Sequence, residues 1–154
     1  MKAIVCKEFG PPSKLVLEDT GPLSPKKNEI LIDIHAAGVN FPDTLIIKDM
    51  YQFKPALPFT PGNEVAGVVS AIGEEVTAYS IGDEVIAMPA FGGYAEQIVV
   101  SPSQASKKPV NMDFATAACF STTYGTSHYG LKDKAQLKEG ETVLILGASG
   151  GVGI

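Results

Sequence analysis

Glu29-Ile30-Leu31-Ile32-Asp33-Ile34-His35 is the stretch on which the fold turns. Ile30, Ile32 and Ile34 fall on one side of an extended chain, and Leu31, Asp33 and His35 on the other, the alternation of a half-buried sheet strand. This predicts a strand over residues 29–35 and puts His35 at the surface or rim of a sheet, not in a ligand set. Toward the N-terminus, residues 2–7 and 15–18 are β-prone and are separated by Gly10-Pro11-Pro12 and by Gly21-Pro22 with Pro25, which read as tight connections. Toward the C-terminus, residues 65–72 and 84–88 read as strands around Gly73 and Gly82-Asp83, and residues 94–100 as another after Gly92-Gly93. Most of the first hundred residues therefore predict a compact, mainly antiparallel β domain.

Three segments break this pattern. Asn40-Phe41-Pro42-Asp43 leads into Thr44-Leu45-Ile46-Ile47, where an asparagine with an acid three residues on predicts a capped short helix and makes Asp43 a structural carboxylate. Residues 51–61 carry Phe53, Pro55, Pro58, Phe59 and Pro61, too many prolines for a central strand, so an aromatic loop over the surface is expected. Beyond Met112, residues 114–120 and 126–131 favour helices, ending at Lys138-Glu139-Gly140. Then comes Glu141-Thr142-Val143-Leu144-Ile145-Leu146, a continuous apolar run of the kind that forms a buried parallel strand. It runs directly into Gly147-Ala148-Ser149-Gly150-Gly151-Val152-Gly153. Glycines at such a junction let the backbone approach a pyrophosphate, whose charge rests against N–H groups at the start of the next helix. The spacing here is G-x-x-G-G-x-G and not the strict G-x-G-x-x-G, so an ordinary glycine turn stays open beside cofactor binding. A complete dinucleotide site also needs the following helix and later strands, so these residues are expected to be part of a longer protein. The apolar run, without parallel neighbours, must pack awkwardly, fray or borrow partners from another copy.

The chain has 154 residues, 45% of them hydrophobic, enough for the core of one ordinary domain. A formal net charge of -5 argues against nucleic acid and anionic membrane surfaces as partners, because the long-range field has the wrong sign. All twelve basic residues are lysine, so no guanidinium fork is offered to a phosphate. Cys6 and Cys119 stand far apart without a C-x-x-C unit, and His35 and His128 are the only imidazoles, so neither a disulfide framework nor a zinc cluster can be assembled from neighbours. No run of eighteen apolar residues occurs and the N-terminus lacks a signal-peptide pattern, so a soluble, cytoplasmic protein in a reducing compartment is expected.

Five motifs occur in an order that resembles the medium-chain dehydrogenases. They are Gly38-Val39-Asn40-Phe41-Pro42-Asp43, Pro61-Gly62-Asn63-Glu64-Val65-Ala66-Gly67-Val68-Val69, Gly82-Asp83-Glu84-Val85, Gly92-Gly93-Tyr94-Ala95-Glu96 and the terminal glycine loop. The similarity spans essentially the whole chain and is nearest to the NADPH:quinone oxidoreductase, or zeta-crystallin-like, branch. It implies a mainly β fold with short helices. Residues 1–120 would form a GroES-like, partly open β-barrel, and residues 121–154 a connecting helix, the first strand of a truncated Rossmann domain and an incomplete glycine loop. The zinc alcohol dehydrogenases of the superfamily hold their catalytic metal with cysteine, histidine and cysteine. The matching positions here are Asn40, Asn63 and Thr122, and neutral amides and a hydroxyl are poor ligands for Zn²⁺, so no metal site is expected.

Without a Lewis acid, a quinone or conjugated enone is the acceptor that takes hydride readily and spreads the charge. The resemblance thus implies hydride transfer from NADPH, with NAD also possible, to a small conjugated carbonyl or quinone. It also implies a homo-oligomer at full length and little activity in these residues alone. The catalytic candidates are Asn40, whose amide could orient ring or substrate or simply cap a helix, and Tyr51, whose phenol could donate to reduced substrate or simply pack. Thr126 matches a threonine that contacts the cofactor carboxamide, with an early-helix cap as its alternative. Gly147, Gly150, Gly151, Val152 and Gly153 are the candidate cofactor-binding loop. Glu64 reads as a residue of the fold, and Gly92-Gly93 with Tyr94 as a barrel turn. An enoyl-thioester reductase of the acryloyl-CoA type, or a non-catalytic β-barrel binding or structural module, are the competing functions.

Overall fold

A computed structural model describes all 154 residues. The chain divides into two compact units, Met1–Cys119 and Phe120–Ile154. In the first unit, β1 (Lys2–Val5) pairs antiparallel with β2 (Val16–Asp19). Strands β3 (Ile30–Ala37), β4 (Val65–Ile72), β5 (Glu84–Ala87), β6 (Gln97–Val100) and β7 (Ala105–Lys107) form a second sheet in the order β6-β3-β4-β5-β7, antiparallel throughout. The small sheet is tied to the large one by the bridge Ala3↔Ala95 and to the aromatic loop by Cys6↔Phe59, and the unit is mainly β as expected.

The alternation in residues 29–35 holds only in part, since Leu31 on the opposite side is buried as well and Ile34 is only partly buried. Ile30 and Ile32 are fully buried with Val65, Val69, Val85, Ala87, Ile98 and Val100 in the main core. Each valine and isoleucine among them contributes about 1.5–3 kcal/mol relative to exposure, which fixes the register of β3 against its neighbours. His35 is exposed and stacks on Phe114 with ring centroids 4.4 Å apart. β7 has no strand signal in Ala105-Ser106-Lys107. It is recruited by the open edge of β5 after a short 3-10 turn, Pro102–Gln104, whose Ser101 cap aims the chain back along the sheet. A second cluster joins Cys6, Ile46, Ile47 and Phe59, and a third packs Ala117 and Ala118 against Ala66 and Ile86. The aromatic loop is therefore not confined to the surface, because Phe59 is one of its buried anchors.

Helix α1 (Phe41–Ile46) starts at the expected place: the Asp43 carboxylate accepts the Asn40 backbone N–H at 2.8 Å. The expected helices beyond Met112 form as α2 (Phe114–Ala117), capped by Asp113, and as α3 (Ser121–His128), which continues into a π-helical turn, Tyr129–Lys134. No helix is long and apolar enough to cross a membrane.

One expectation fails in the second unit. Residues 142–146 form no strand, and Leu144 and Leu146 are 83% and 85% exposed. A parallel strand exists only by exchanging backbone hydrogen bonds with neighbours, and nothing in Phe120–Ile154 offers one. No residue of this unit is buried.

Candidate functional site

Three of the sequence motifs meet in the first unit. The chain after Thr60 runs beside the Gly92 turn: Gly92 N–H donates to Thr60 O at 2.7 Å, Gly93 N–H to Gly62 O at 2.9 Å and Tyr94 N–H to Pro61 O at 2.9 Å. Gly62 makes this approach possible. Its φ is +95°, and a Cβ there would lie 2.5 Å from Tyr94 Cδ1 and 2.9 Å from Tyr94 N. The Tyr94 ring lies across that gap, and its hydroxyl donates to Asp43 Oδ2 at 2.7 Å. The motif at residues 38–43 is thereby joined to the other two.

Asn40 sits where they converge. Its Nδ2 donates to Asn63 Oδ1 at 3.3 Å and to Glu64 Oε2 at 3.2 Å. Glu64 is 0% exposed and Asp43 4% exposed, so two buried carboxylates flank one asparagine. A buried carboxylate is tolerated only where hydrogen bonds replace its water. Asp43 Oδ2 takes two such bonds, whereas Oδ1 is buried with none. Burial first, then the hydrogen bond to Asp43 and its charge, push the Tyr94 phenol well above the ordinary tyrosine range. Tyr94 thus stays a neutral donor across the physiological range.

Tyr51 packs, partly buried, against the cluster of Cys6, Ile46, Ile47 and Phe59. Asn40 and Asn63, the positions matched to zinc ligands, are bonded to each other through their amides. No group of three or more His, Cys, Asp or Glu side chains is placed to hold a metal ion. The donors present, neutral amides, suit hydrogen bonding and not Zn²⁺.

In the second unit, Thr126 is not at a helix start. It lies inside α3, and its hydroxyl donates back to Thr122 O at 2.5 Å, the local bond that threonine makes in mid-helix. The glycine loop winds into two successive turns: Gly150 N–H donates to Gly147 O at 2.9 Å and Gly153 N–H to Gly150 O at 2.9 Å. Ser127 Oγ donates to Val152 O at 2.9 Å and holds the loop to α3. Gly147, Gly150, Gly151, Val152 and Gly153 are thus brought together, but two of their N–H groups are directed into the loop. A Cβ at Gly153 would fall 2.5 Å from Gly147 O, so the turn itself requires glycine there. No strand leads into the loop, and its own turns and the Ser127 bond set its conformation.

Sequence reasoning assigned Gly92-Gly93 with Tyr94 to a barrel turn, which the backbone bonds bear out, but did not reveal the bond from the Tyr94 hydroxyl to Asp43. The signal was there in the Gly92-Gly93 pair, since two glycines before a tyrosine mark a close backbone approach as well as a turn.

Residues 26–110 match the alcohol dehydrogenase GroES-like domain family. The human quinone oxidoreductase is 41% identical over 156 residues, covering 100% of this chain and 47% of the relative. The structure of the Escherichia coli quinone oxidoreductase, complexed with NADPH, aligns with a TM-score of 0.94 at 32% identity, over 99% of this chain and 47% of that one. The CurK enoyl reductase aligns with a TM-score of 0.87 at 34% identity, over 99% of this chain and 48% of that one. The chain thus spans about half the length of the relatives it matches. On these grounds it belongs to the alcohol dehydrogenase GroES-like domain family, in the quinone oxidoreductase branch of the medium-chain dehydrogenase/reductase superfamily.

Proposed function

We propose that this chain is the substrate-side part of a zinc-independent oxidoreductase that transfers hydride from NADPH to a quinone or conjugated enone. The observation that carries the reading is the Asn40 site: an asparagine held between Asn63 and Glu64 where a metal enzyme would place thiolate and imidazole. The names of the similar proteins support it, since a human and a bacterial relative are both quinone oxidoreductases and one of them is complexed with NADPH.

NADPH, when bound, supplies a hydride, and the acceptor gains that hydride and one proton, a quinone becoming a hydroquinone. Gly147, Gly150, Gly151, Val152 and Gly153 would hold the pyrophosphate against backbone N–H groups once the turn at Gly147 opens. Thr126 would hold the carboxamide after giving up its bond to Thr122 O. The Asn40 amide, already oriented by its neighbours, would fix the angle between ring and acceptor, and correct orientation alone is worth several orders of magnitude in rate. Tyr51 would donate a hydrogen bond to the oxygen on which negative charge develops. The acceptor is a small molecule, and this reading includes no nucleic acid or membrane partner and a homo-oligomer at full length.

Similarity to the CurK enoyl reductase supports a second reading, reduction of an enoyl thioester. A panel of quinones, free enones and enoyl thioesters, offered with NADPH or NADH to the chain completed through its nicotinamide domain, separates the two. The first reading expects turnover of quinones or free enones with NADPH preferred. Turnover confined to thioesters would replace it with the second. Absence of nicotinamide binding would leave a non-catalytic barrel module.

A further inference from the structure

We propose that Tyr94 is a positioning residue for Asn40, acting through the Asp43 carboxylate. The inference rests on the role in hydride transfer proposed above for Asn40. It goes beyond that role by making the Gly92-Gly93-Tyr94 turn part of the geometry around Asn40.

The argument starts from what a helix cap requires. At α2, Asp113 caps with its carboxylate in solvent, accepting Thr116 N–H at 2.8 Å. At α1, Asp43 does the corresponding task from a buried position, with a phenol as second partner and one oxygen lacking a hydrogen bond. Capping a six-residue helix does not call for that desolvation. The two bonds it does make converge on one atom: Asp43 Oδ2 accepts from Asn40 N–H at 2.8 Å and from Tyr94 Oη at 2.7 Å. Asn40 is therefore gripped at both ends, its main chain by Asp43 and its amide by Asn63 and Glu64. Tyr94 is anchored on the segment that presents those amide partners, through its own N–H on Pro61 O and its ring over Gly62. A shift of the Tyr94 ring thus moves one end of Asn40 relative to the other. Because burial and Asp43 keep the phenol protonated, it serves as a fixed strut and not as a proton source.

The test uses the 154-residue chain labelled with ¹⁵N. Tyr94→Phe should shift the Asn40 side-chain NH₂ resonances and speed exchange of the Asn40 backbone N–H, whose acceptor Asp43 loses its phenol partner, by about tenfold. The β4 amides should stay dispersed and protected. Tyr79→Phe is the control, because Tyr79 donates to Ala105 O at 2.5 Å, outside this network, and should leave Asn40 unchanged. In the completed enzyme, Tyr94→Phe should lower kcat by about tenfold with KM unchanged, and should have no further effect on an Asn40→Ala background. Unmoved Asn40 signals in Tyr94→Phe, or fully multiplied losses in the double variant, would overturn the inference. Full kcat in Asn40→Ala would instead remove Asn40 from the reaction, and the resonance shift would still decide whether Tyr94 positions it.

Discussion

Replacing Gly62 by alanine tests the junction on which the site is built. At φ +95° an L-residue pays about 1–2 kcal/mol for its backbone conformation. The new Cβ would also meet Tyr94 Cδ1 at 2.5 Å and Tyr94 N at 2.9 Å. The ring can tilt, but the nitrogen is held by its bond to Pro61 O, so overpacking should add about 1–3 kcal/mol. Gly82 isolates the second contribution, because its φ is +94° and a Cβ there would meet nothing within 4 Å. Both substitutions lower the entropy of the unfolded chain equally, and that gain cancels in the comparison. Gly62→Ala should therefore be less stable than Gly82→Ala by about 1–3 kcal/mol. With a urea slope of about 2 kcal/mol/M, its midpoint should lie roughly 0.5–1.5 M lower. Far-UV circular dichroism during urea unfolding suits a chain with no tryptophan. Equal midpoints for the two variants would show that Tyr94 does not lie across Gly62 as described.

Four further outcomes follow, three from particular side chains and one from the backbone. Lys108, 4% exposed, gives its ammonium to Glu84 at 2.9 Å and to the carbonyls of Pro109 and Met112, so Lys108→Met should cost about 1–3 kcal/mol in the same urea assay. Lys107→Met, which loses only an exposed pair with Asp83, should cost less than about 1 kcal/mol. The Asp113 carboxyl is held below its ordinary value of 3.8, first by Thr116 N–H and then by the Thr116 hydroxyl. Its cap is therefore at full strength above that pH and lost as pH falls through the lowered value, whereas Asp113→Asn should show no such loss when stability is followed by acid titration. Amide exchange of residues 142–146 should be complete within seconds while β4 stays protected. Slow exchange there would mean that the apolar run is paired after all.

How much of this was legible follows from the range of the forces involved. The strands β1 to β6 could be read because each carries its own alternation or its own glycine punctuation, as in residues 29–35 and 65–72. β7 could not, since Ala105-Ser106-Lys107 is a strand only because β5 leaves an open edge. The apolar run at residues 142–146 has strand composition without strand structure, which shows that composition fixes a preference and neighbours decide the outcome. At the site, the Asn40–Asp43 cap was visible as a spacing of three residues. The bonds from Asn40 to Asn63 and from Tyr94 to Asp43 span 23 and 51 residues, and no local pattern encodes them. A helix read over residues 126–131 puts Thr126 at its start, whereas α3 begins five residues earlier at Ser121.

Metal dependence gives the most direct test of a site that works through oriented amides. The completed enzyme is to be dialysed against a strong chelator, its metal content measured, and its turnover of a quinone with NADPH compared before and after. The account predicts the same kcat and KM at negligible bound zinc. Loss of turnover on dialysis, with recovery when zinc is returned, would contradict it.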